Sequence, residues 1–225
     1  MMKLAYPILS KPIEIPDNKT AVLVIENQML YAKVLFELIS QLNGNEGEFV
    51  LSRNDAIINI AKEAELVIDP FMMDINQRKV ITRLHQMLNT LAMNEDNYQK
   101  TMRLSSEMQQ YIEDIVTTTD YELEYNQTID AAMIFKITDV KIAVSSERLA
   151  EKIIDYITVM TDLFKTACFI FVNLKSFIND EDMANLYKHF AYKKICVLLI
   201  ENITRDTKYE HEIIRIIDHD MCEIY

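Results

Sequence analysis

Two apolar runs that end in the same dipeptide constrain the fold of this chain more than any other feature. Residues 22–27 read VLVIEN, and residues 197–202 read VLLIEN. Short runs rich in β-branched residues are typical of strands that are covered on both faces of a parallel sheet. Helical patterns alternate with such runs along the chain, which predicts an α/β fold with a largely parallel sheet. We expect the two Glu-Asn pairs at the carboxyl ends of neighbouring strands.

The scarcity of glycine limits what these strand ends can bind. The 225 residues include only two glycines, Gly44 and Gly47. A P-loop needs glycines at fixed spacing and a lysine, because its backbone must approach the phosphates closely, and a dinucleotide-binding loop needs three glycines. Neither loop can be assembled here. The sequence therefore predicts a head that resembles a P-loop NTPase frame without a nucleotide loop, and no nucleotide as a partner.

Local patterns divide the chain into an α/β head and a helical insertion. After the first apolar run, Leu30, Val34 and Leu38 recur at helical spacing. The strand-like segments 48–52 and 56–61 flank the turn-like RND and predict a hairpin, although the second segment could also be helical.

From residue 76 helical periodicity dominates, and strand-like runs return after residue 150. We therefore predict a discontinuous head from residues 1–75 and 151–225, with a helical leg inserted at residues 76–150.

The cellular location can be predicted from what the chain lacks. No apolar run approaches the roughly 18 residues that span a bilayer, and the N-terminus has no sustained apolar core of a signal peptide. Cys168 and Cys196 lie inside apolar runs, which favours buried free thiols in a reducing compartment. We expect a cytoplasmic protein with no membrane partner.

Eight segments, in this order and spacing, resemble the Csn2 family of type II-A CRISPR-associated adaptation proteins. They read KPIEI, AVLVIEN, ELVIDPFMMDIN, YELEY, DVKIAV, FIFVN, VLLIE and IIDHD. The resemblance implies a ring-shaped homotetramer of α/β heads and helical legs. It also implies a non-catalytic protein that binds the ends of double-stranded DNA, holds calcium and serves spacer acquisition together with the CRISPR adaptation integrase complex.

The resemblance also implies which residues would hold calcium. Calcium takes six to eight oxygen ligands, mostly from carboxylates and carbonyls. Two groups of such residues stand at the ends of the helical block, and the residues alone would equally fit solvated acids at turns and caps. Asn126 and Gln127 stand where the family tends to have further acids, so fewer or weaker ions are expected. The candidate ligands are Asp69, Asp74, Asn76, Asp120, Glu122 and Glu124.

DNA binding has to be reconciled with a net charge of −12. Contact with phosphates needs nearby lysine or arginine, and a local basic surface is sufficient. The helical block contains such residues, although each alone would also fit an ordinary solvated helix face. In a tetrameric ring a modest basic patch would be repeated around one opening. The candidate DNA-binding residues are Arg78, Lys79, Arg83, Lys100, Arg103, Lys136 and Lys141.

Two other classes of function stay open at this point. Paired carboxylates could serve a metal-dependent nuclease, because such enzymes clamp phosphates between two ions. Helical faces rich in leucine and methionine could instead belong to a purely structural oligomeric scaffold. No motif for a nucleophile, a metalloprotease helix or base-specific readout of nucleic acid is present. The sequence therefore favours a binding protein over an enzyme.

Overall fold

The computed structural model describes residues 1–144 and 146–225, and these residues form two compact units. The head unit comprises Met1–Met73 and Ser146–Tyr225. The helical unit comprises Asp74–Ser145.

The described residues form ten strands and seven α-helices. The strands are β1 Met2–Ala5, β2 Ile13–Ile15, β3 Thr20–Ile25, β4 Val50–Arg53, β5 Ala56–Ile58, β6 Ala64–Val67, β7 Cys168–Val172, β8 Val197–Glu201, β9 Glu212–Ile217 and β10 Glu223–Ile224. The helices are α1 Gln28–Leu42, α2 Ile60–Glu63, α3 Arg78–Ala92, α4 Tyr98–Val116, α5 Ala131–Ile137, α6 Leu149–Phe164 and α7 Asp180–Lys193. Two short 3-10 turns, Pro70–Met72 and Leu174–Ser176, follow β6 and β7.

The larger sheet of the head unit is rich in parallel pairs, as the apolar runs predicted. Its strand order is β10-β9-β3-β8-β7-β6, and every adjacent pair is parallel except β9 with β10. Strands β3, β7 and β8 are buried along their whole length. Full burial explains why these strands read as continuous apolar runs rather than as alternating patterns.

A second sheet shows that the head is not built on a parallel sheet alone. It is antiparallel throughout, with the strand order β2-β1-β4-β5. The predicted hairpin is confirmed as β4 and β5, and its turn residues Asn54 and Asp55 have φ values of 50° and 64°. Positive φ at both central positions is the geometry of a tight turn that matches strand twist. The pattern analysis did not predict β1 and β2, because they are short and separated by a proline-containing loop.

The main hydrophobic core lies between the two sheets and α1. Alternate residues of β3, Ala21, Leu23 and Ile25, contribute to it together with the buried face of α1. That helical face consists of Leu30, Val34 and Leu38, at the spacing that predicted the helix. The opposite face of the large sheet is also buried, and α7 contacts β3. The parallel sheet is therefore covered on both sides.

The helical unit is organised by one side chain near its start. The Asn76 side chain accepts a hydrogen bond from Ile142 N at 2.9 Å and donates one to Ile142 O, also at 2.9 Å. This pair joins residues that are 66 positions apart and so closes the unit. Within it α3 packs against α5.

Two further sequence expectations can be compared with the described residues. None of their helices combines the length and the apolar character needed to cross a bilayer. Cys168 and Cys196 are buried free thiols, as predicted, with their Sγ atoms 3.3 Å apart; Cys168 begins β7 and Cys196 immediately precedes β8.

A buried ion pair links the segment after β7 to the start of β9 in the large sheet. Lys175, just after β7, donates from Nζ to Glu212 Oε2 at 2.8 Å, and Glu212 is the first residue of β9. The side chains are only 7% and 2% exposed. Glu212 Oε2 also accepts a hydrogen bond from the Tyr187 hydroxyl at 3.0 Å, and Glu212 Oε1 accepts one from Tyr209 N at 3.3 Å. A buried charge held by this many partners becomes costly as soon as one partner is removed.

We predict that Lys175→Met lowers the free energy of unfolding by about 3–5 kcal/mol, because it leaves the Glu212 carboxylate buried without its counter-charge. The double variant Lys175→Met with Glu212→Gln should lose less than the single variant, since the uncompensated charge is gone. Urea denaturation of each variant measures both effects, with Lys188→Met on the exposed face of α7 as the control. A loss for Lys175→Met no larger than that of the control would contradict the prediction.

Candidate functional site

The two Glu-Asn pairs lie at the same edge of the large sheet, as predicted. Strands β3 and β8 pair directly in parallel, with Val24 opposite Glu201. Glu201 therefore stands at the end of β8, and Glu26 follows the end of β3. In open parallel sheets this carboxyl edge is where ligands bind.

The connection from β3 to α1 is too short to cradle a phosphate. It consists of Glu26 and Asn27 alone, with no glycine. Asn27 Oδ1 accepts a hydrogen bond from Leu30 N at 3.0 Å, which caps α1, and Asn27 Nδ2 donates to His219 O at 2.9 Å. Glu26 Oε1 accepts a hydrogen bond from Thr204 Oγ1 at 2.7 Å. The groups at the end of β3 are thus engaged with the protein itself.

A cavity of about 380 Å³ remains beside this connection. Glu26, Tyr31, Asn202 and His219 contribute to its lining. Burial, and to a lesser degree the neighbouring Glu201 carboxylate, raises the pKa of Tyr31 to about 12. The cavity thus offers a neutral hydroxyl and a carboxylate.

Glu201 is the most deeply buried acid of this edge. It is 1% exposed, and its Oε1 accepts a hydrogen bond from Lys175 N at 3.1 Å. Its Oε2 has no hydrogen-bond partner among the described residues. Burial raises the pKa of Glu201, and the Lys175 backbone N–H and the Lys175 charge offset only part of that rise.

Three of the candidate calcium ligands take part in hydrogen bonds with the chain itself. Asp69 Oδ1 accepts a hydrogen bond from Phe71 N at 2.9 Å, and Asp74 Oδ1 accepts one from Asn76 N at 2.7 Å. The Asn76 side-chain oxygen is held by Ile142 N. The remaining candidates are exposed and lie between α4 and α5, outside any helix or strand, namely Asp120, Glu122 and Glu124.

A calcium site of the expected kind requires several of these oxygens around one point. Across residues 1–144 and 146–225, no three His, Cys, Asp or Glu side chains are close enough to hold a metal ion. Calcium also accepts amide and backbone carbonyl oxygens, so the six candidates stay predicted ligands. The dependence on calcium stays a prediction.

Six of the candidate DNA-binding residues lie on the three helices of the helical unit, and Lys141 follows α5. Arg78, Lys79 and Arg83 belong to α3, and no acidic residue is present in that helix. Lys136 is the one charged residue of α5. The others have acidic residues close by in sequence. Lys100 and Arg103 lie on α4, where Arg103 forms an ion pair with Glu107 at 3.5 Å. Lys141 forms an ion pair with Asp139 at 2.8 Å.

Sequence patterns alone did not reveal two features that bear on possible sites, a buried ion pair and a groove. Lys175 and Glu212 are buried partners, yet each reads as an ordinary charged residue at the end of an element. A groove of about 720 Å³ between α3 and α5 was also missed, although its lining includes the candidates Arg78 and Lys136. The basic residues of α3 and α5 were the signal for the second feature, but only packing brings those helices together.

We predict that Glu201→Gln stabilises the protein more at about pH 8 than at about pH 4. A carboxyl whose pKa is raised on folding contributes stability below its unfolded pKa of about 4.3, and that contribution is lost as pH rises through the folded pKa. Glutamine keeps the acceptor for Lys175 N and carries no charge to bury. Urea denaturation across this range measures the effect, with the exposed Glu210→Gln as the control. A stabilisation that does not grow with pH would contradict the prediction.

Comparison with known proteins identifies the family that the eight segments resemble. The family model described as CRISPR-associated protein (Cas_Csn2) matches residues 41–221. The CRISPR-associated protein Csn2 of Streptococcus agalactiae is 25% identical over 203 residues, which cover 89% of this chain and 89% of that protein. The CRISPR-associated protein Csn2 of Enterococcus faecalis is 24% identical over 214 residues, covering 93% of this chain and 94% of that protein.

Among solved structures, an ABC transporter ATP-binding protein from Pyrococcus furiosus aligns over 95% of this chain and 96% of its own, with a TM-score of 0.39 and 8% identity. The family assignment rests instead on the sequence matches, which extend over both the head unit and the helical unit. The chain belongs to the Csn2 family of CRISPR-associated proteins.

Proposed function

We propose that this protein binds the ends of double-stranded DNA during CRISPR spacer acquisition, without sequence preference and without catalysing a reaction. Membership of the Csn2 family supports the role in CRISPR adaptation. The observation that carries the DNA-binding part is the separation of charge in the helical unit. In this proposal the protein acts in the cytoplasm, where it delivers DNA ends to the CRISPR adaptation integrase complex.

The charge separation is pronounced for so acidic a protein. The whole chain has a net charge of −12, but α3 and α5 together carry four basic residues and no acid. These helices pack against each other, and Arg78 of α3 and Lys136 of α5 line one groove, so their charges reinforce one local surface. Each phosphate neutralised by lysine or arginine releases counterions, which favours binding whatever the base sequence. A surface of this kind matches the backbone of DNA and offers no base-specific motif.

A second part of the proposal is assembly into a closed homotetrameric ring. Helix α4 is 19 residues long, yet Ser105 is its only buried residue. Met102, Leu104, Tyr111 and Ile115 are each more than two-fifths exposed. Exposed apolar surface of this extent is typical of protein–protein interfaces, and closed symmetry is the common arrangement of identical subunits. A ring would repeat the basic surface of α3 and α5 around one opening.

We predict that the double variant Arg78→Gln with Lys136→Gln binds linear duplex DNA about tenfold more weakly, since at least one phosphate contact is lost. The slope of log affinity against log salt concentration should become shallower by about 0.9 for each lost contact. Gel-shift titration at several salt concentrations measures both effects. Lys188→Gln, on an exposed face of α7 in the head unit, is the matched control.

The same gel shift separates this proposal from its alternatives. Linear and covalently closed duplexes are compared with calcium and with a chelator. Threading onto ends predicts that closed circles bind poorly, and calcium dependence predicts loss of binding with the chelator. Cleavage of the DNA would favour a metal-dependent nuclease, and absence of binding under every condition would favour a structural scaffold. An affinity of the double variant equal to that of the control would remove α3 and α5 from the DNA contact.

We predict that light scattering gives a mass of four chains of 26.3 kDa each. The double variant Leu104→Glu with Ile115→Glu should reduce the mass, because it places two charges on the same exposed apolar side of α4. Lys188→Glu, which adds a negative charge on the exposed face of α7, is the control and should leave the mass unchanged. A wild-type protein that remains a single chain at working concentration would contradict the ring.

A further inference from the structure

We infer that the groove between α3 and α5 holds unpaired nucleotides at the end of a DNA strand. The inference rests on the proposed function and extends it, because it assigns to one site the part of the DNA end that is not base-paired. The α3–α5 groove, as it is called below, lies wholly within the helical unit.

The size and lining of the α3–α5 groove fit a nucleotide better than a duplex. Its volume is about 720 Å³, within the range of pockets that enclose small organic ligands. Ile81 from α3 and Met133 from α5 contribute apolar wall. A paired base is stacked between its neighbours and must leave the helix to enter a pocket, whereas an unpaired base has no such cost. The groove therefore selects single-stranded nucleotides at a duplex end.

The charged side chains of the α3–α5 groove suit an anion. Arg78 and Lys136 belong to its lining, and both are exposed. In the described chain neither residue forms an ion pair. Asp130 is the only acid of the lining, and its Oδ1 already accepts a hydrogen bond from Met133 N at 2.8 Å, which caps α5. The apolar wall can contact the base of a nucleotide, and the two cations can contact its phosphate.

The polar groups of the α3–α5 groove distinguish a DNA strand from an apolar helix of a second copy. His85 Nε2 lies 2.8 Å from Val140 O, and because a carbonyl only accepts, this nitrogen donates and the ring is held in place. The Asn89 amide, which is half-buried, has no hydrogen-bond partner among the described residues. An apolar helix would bury that amide unsatisfied, which is unfavourable. A base edge would satisfy it, since an amide both donates and accepts.

The test compares two DNA hairpins that each have one free end. The first is blunt, and the second carries a short single-stranded overhang with 2-aminopurine, a base whose fluorescence reports on stacking. We expect the wild-type protein to bind the overhang hairpin about tenfold more tightly than the blunt one, because burying roughly 60 Å² of one base against the apolar wall contributes a factor of this order. The fluorescence of the overhang should change on binding.

Variants of the groove should remove the preference without removing DNA binding. Asn89→Leu deletes the amide, and Met133→Ala removes an apolar side chain from the wall without changing the charge beside Arg78 and Lys136. Both should bind the two hairpins with nearly equal affinity, while affinity for the blunt hairpin stays close to that of the wild type. Asn185→Leu, the same change at an exposed position of α7, is the matched control and should keep the tenfold preference.

The outcomes distinguish failure of this inference from failure of the proposed function. Equal wild-type affinity for the two hairpins overturns the inference and leaves end binding intact. Absence of binding to either hairpin overturns the proposed function and the inference with it. A changed oligomeric mass in Asn89→Leu and Met133→Ala, with the preference for the overhang retained, would identify the groove as an interface between copies and also overturn the inference.

Discussion

The buried ion pair between Lys175 and Glu212 is the interaction on which the head unit most depends. It joins the turn after β7 to the start of β9, and β8 and β3 lie between these strands in the sheet. Two charges are stable in such a place only when their hydrogen bonds are satisfied, and Tyr187 and Tyr209 complete the set around Glu212. Any arrangement that separates the two side chains would leave a buried charge uncompensated, which is unfavourable.

Hydrogen bonds within the head unit also engage the carboxyl edge of the large sheet, where ligands bind in open parallel sheets. Glu201 is directed into hydrogen bonding with the Lys175 backbone, and β3 passes into α1 through Glu26 and Asn27 alone. A phosphate would meet two carboxylates and no glycine-rich loop. The polar groups at these strand ends are thus engaged within the head unit. The basic surface that we propose for the nucleic-acid contact lies in the helical unit.

In the helical unit, the balance of basic and acidic residues differs from one helix to another. Helix α4 mixes basic and acidic residues, and Arg103 pairs with Glu107. Helices α3 and α5 carry only basic charge. Electrostatic attraction to a polyanion falls off within about 10 Å at moderate salt, so a local surface can bind phosphate although the protein as a whole is acidic. The acidic remainder would weaken nonspecific contact elsewhere on the surface.

Much of the fold could be predicted from the sequence because its signals are local. The periodicity of Leu30, Val34 and Leu38 identified α1, and the segments around Asn54 and Asp55 identified a hairpin. The lack of glycine excluded a phosphate loop, and the order of short segments pointed to the Csn2 family. Such features depend on neighbouring residues alone, so they can be read without knowing where distant segments meet.

Only the tertiary structure decided the features that depend on contacts between distant residues. The antiparallel sheet needs β1 to pair with β4, and the Lys175–Glu212 pair needs the register of the whole large sheet. The Asn76 side chain holds Ile142, 66 positions away. The α3–α5 groove exists because two helices separated by α4 in the chain pack together. No sequence pattern around a single side chain identifies its partner. Packing and desolvation across the folded chain determine which distant residues meet.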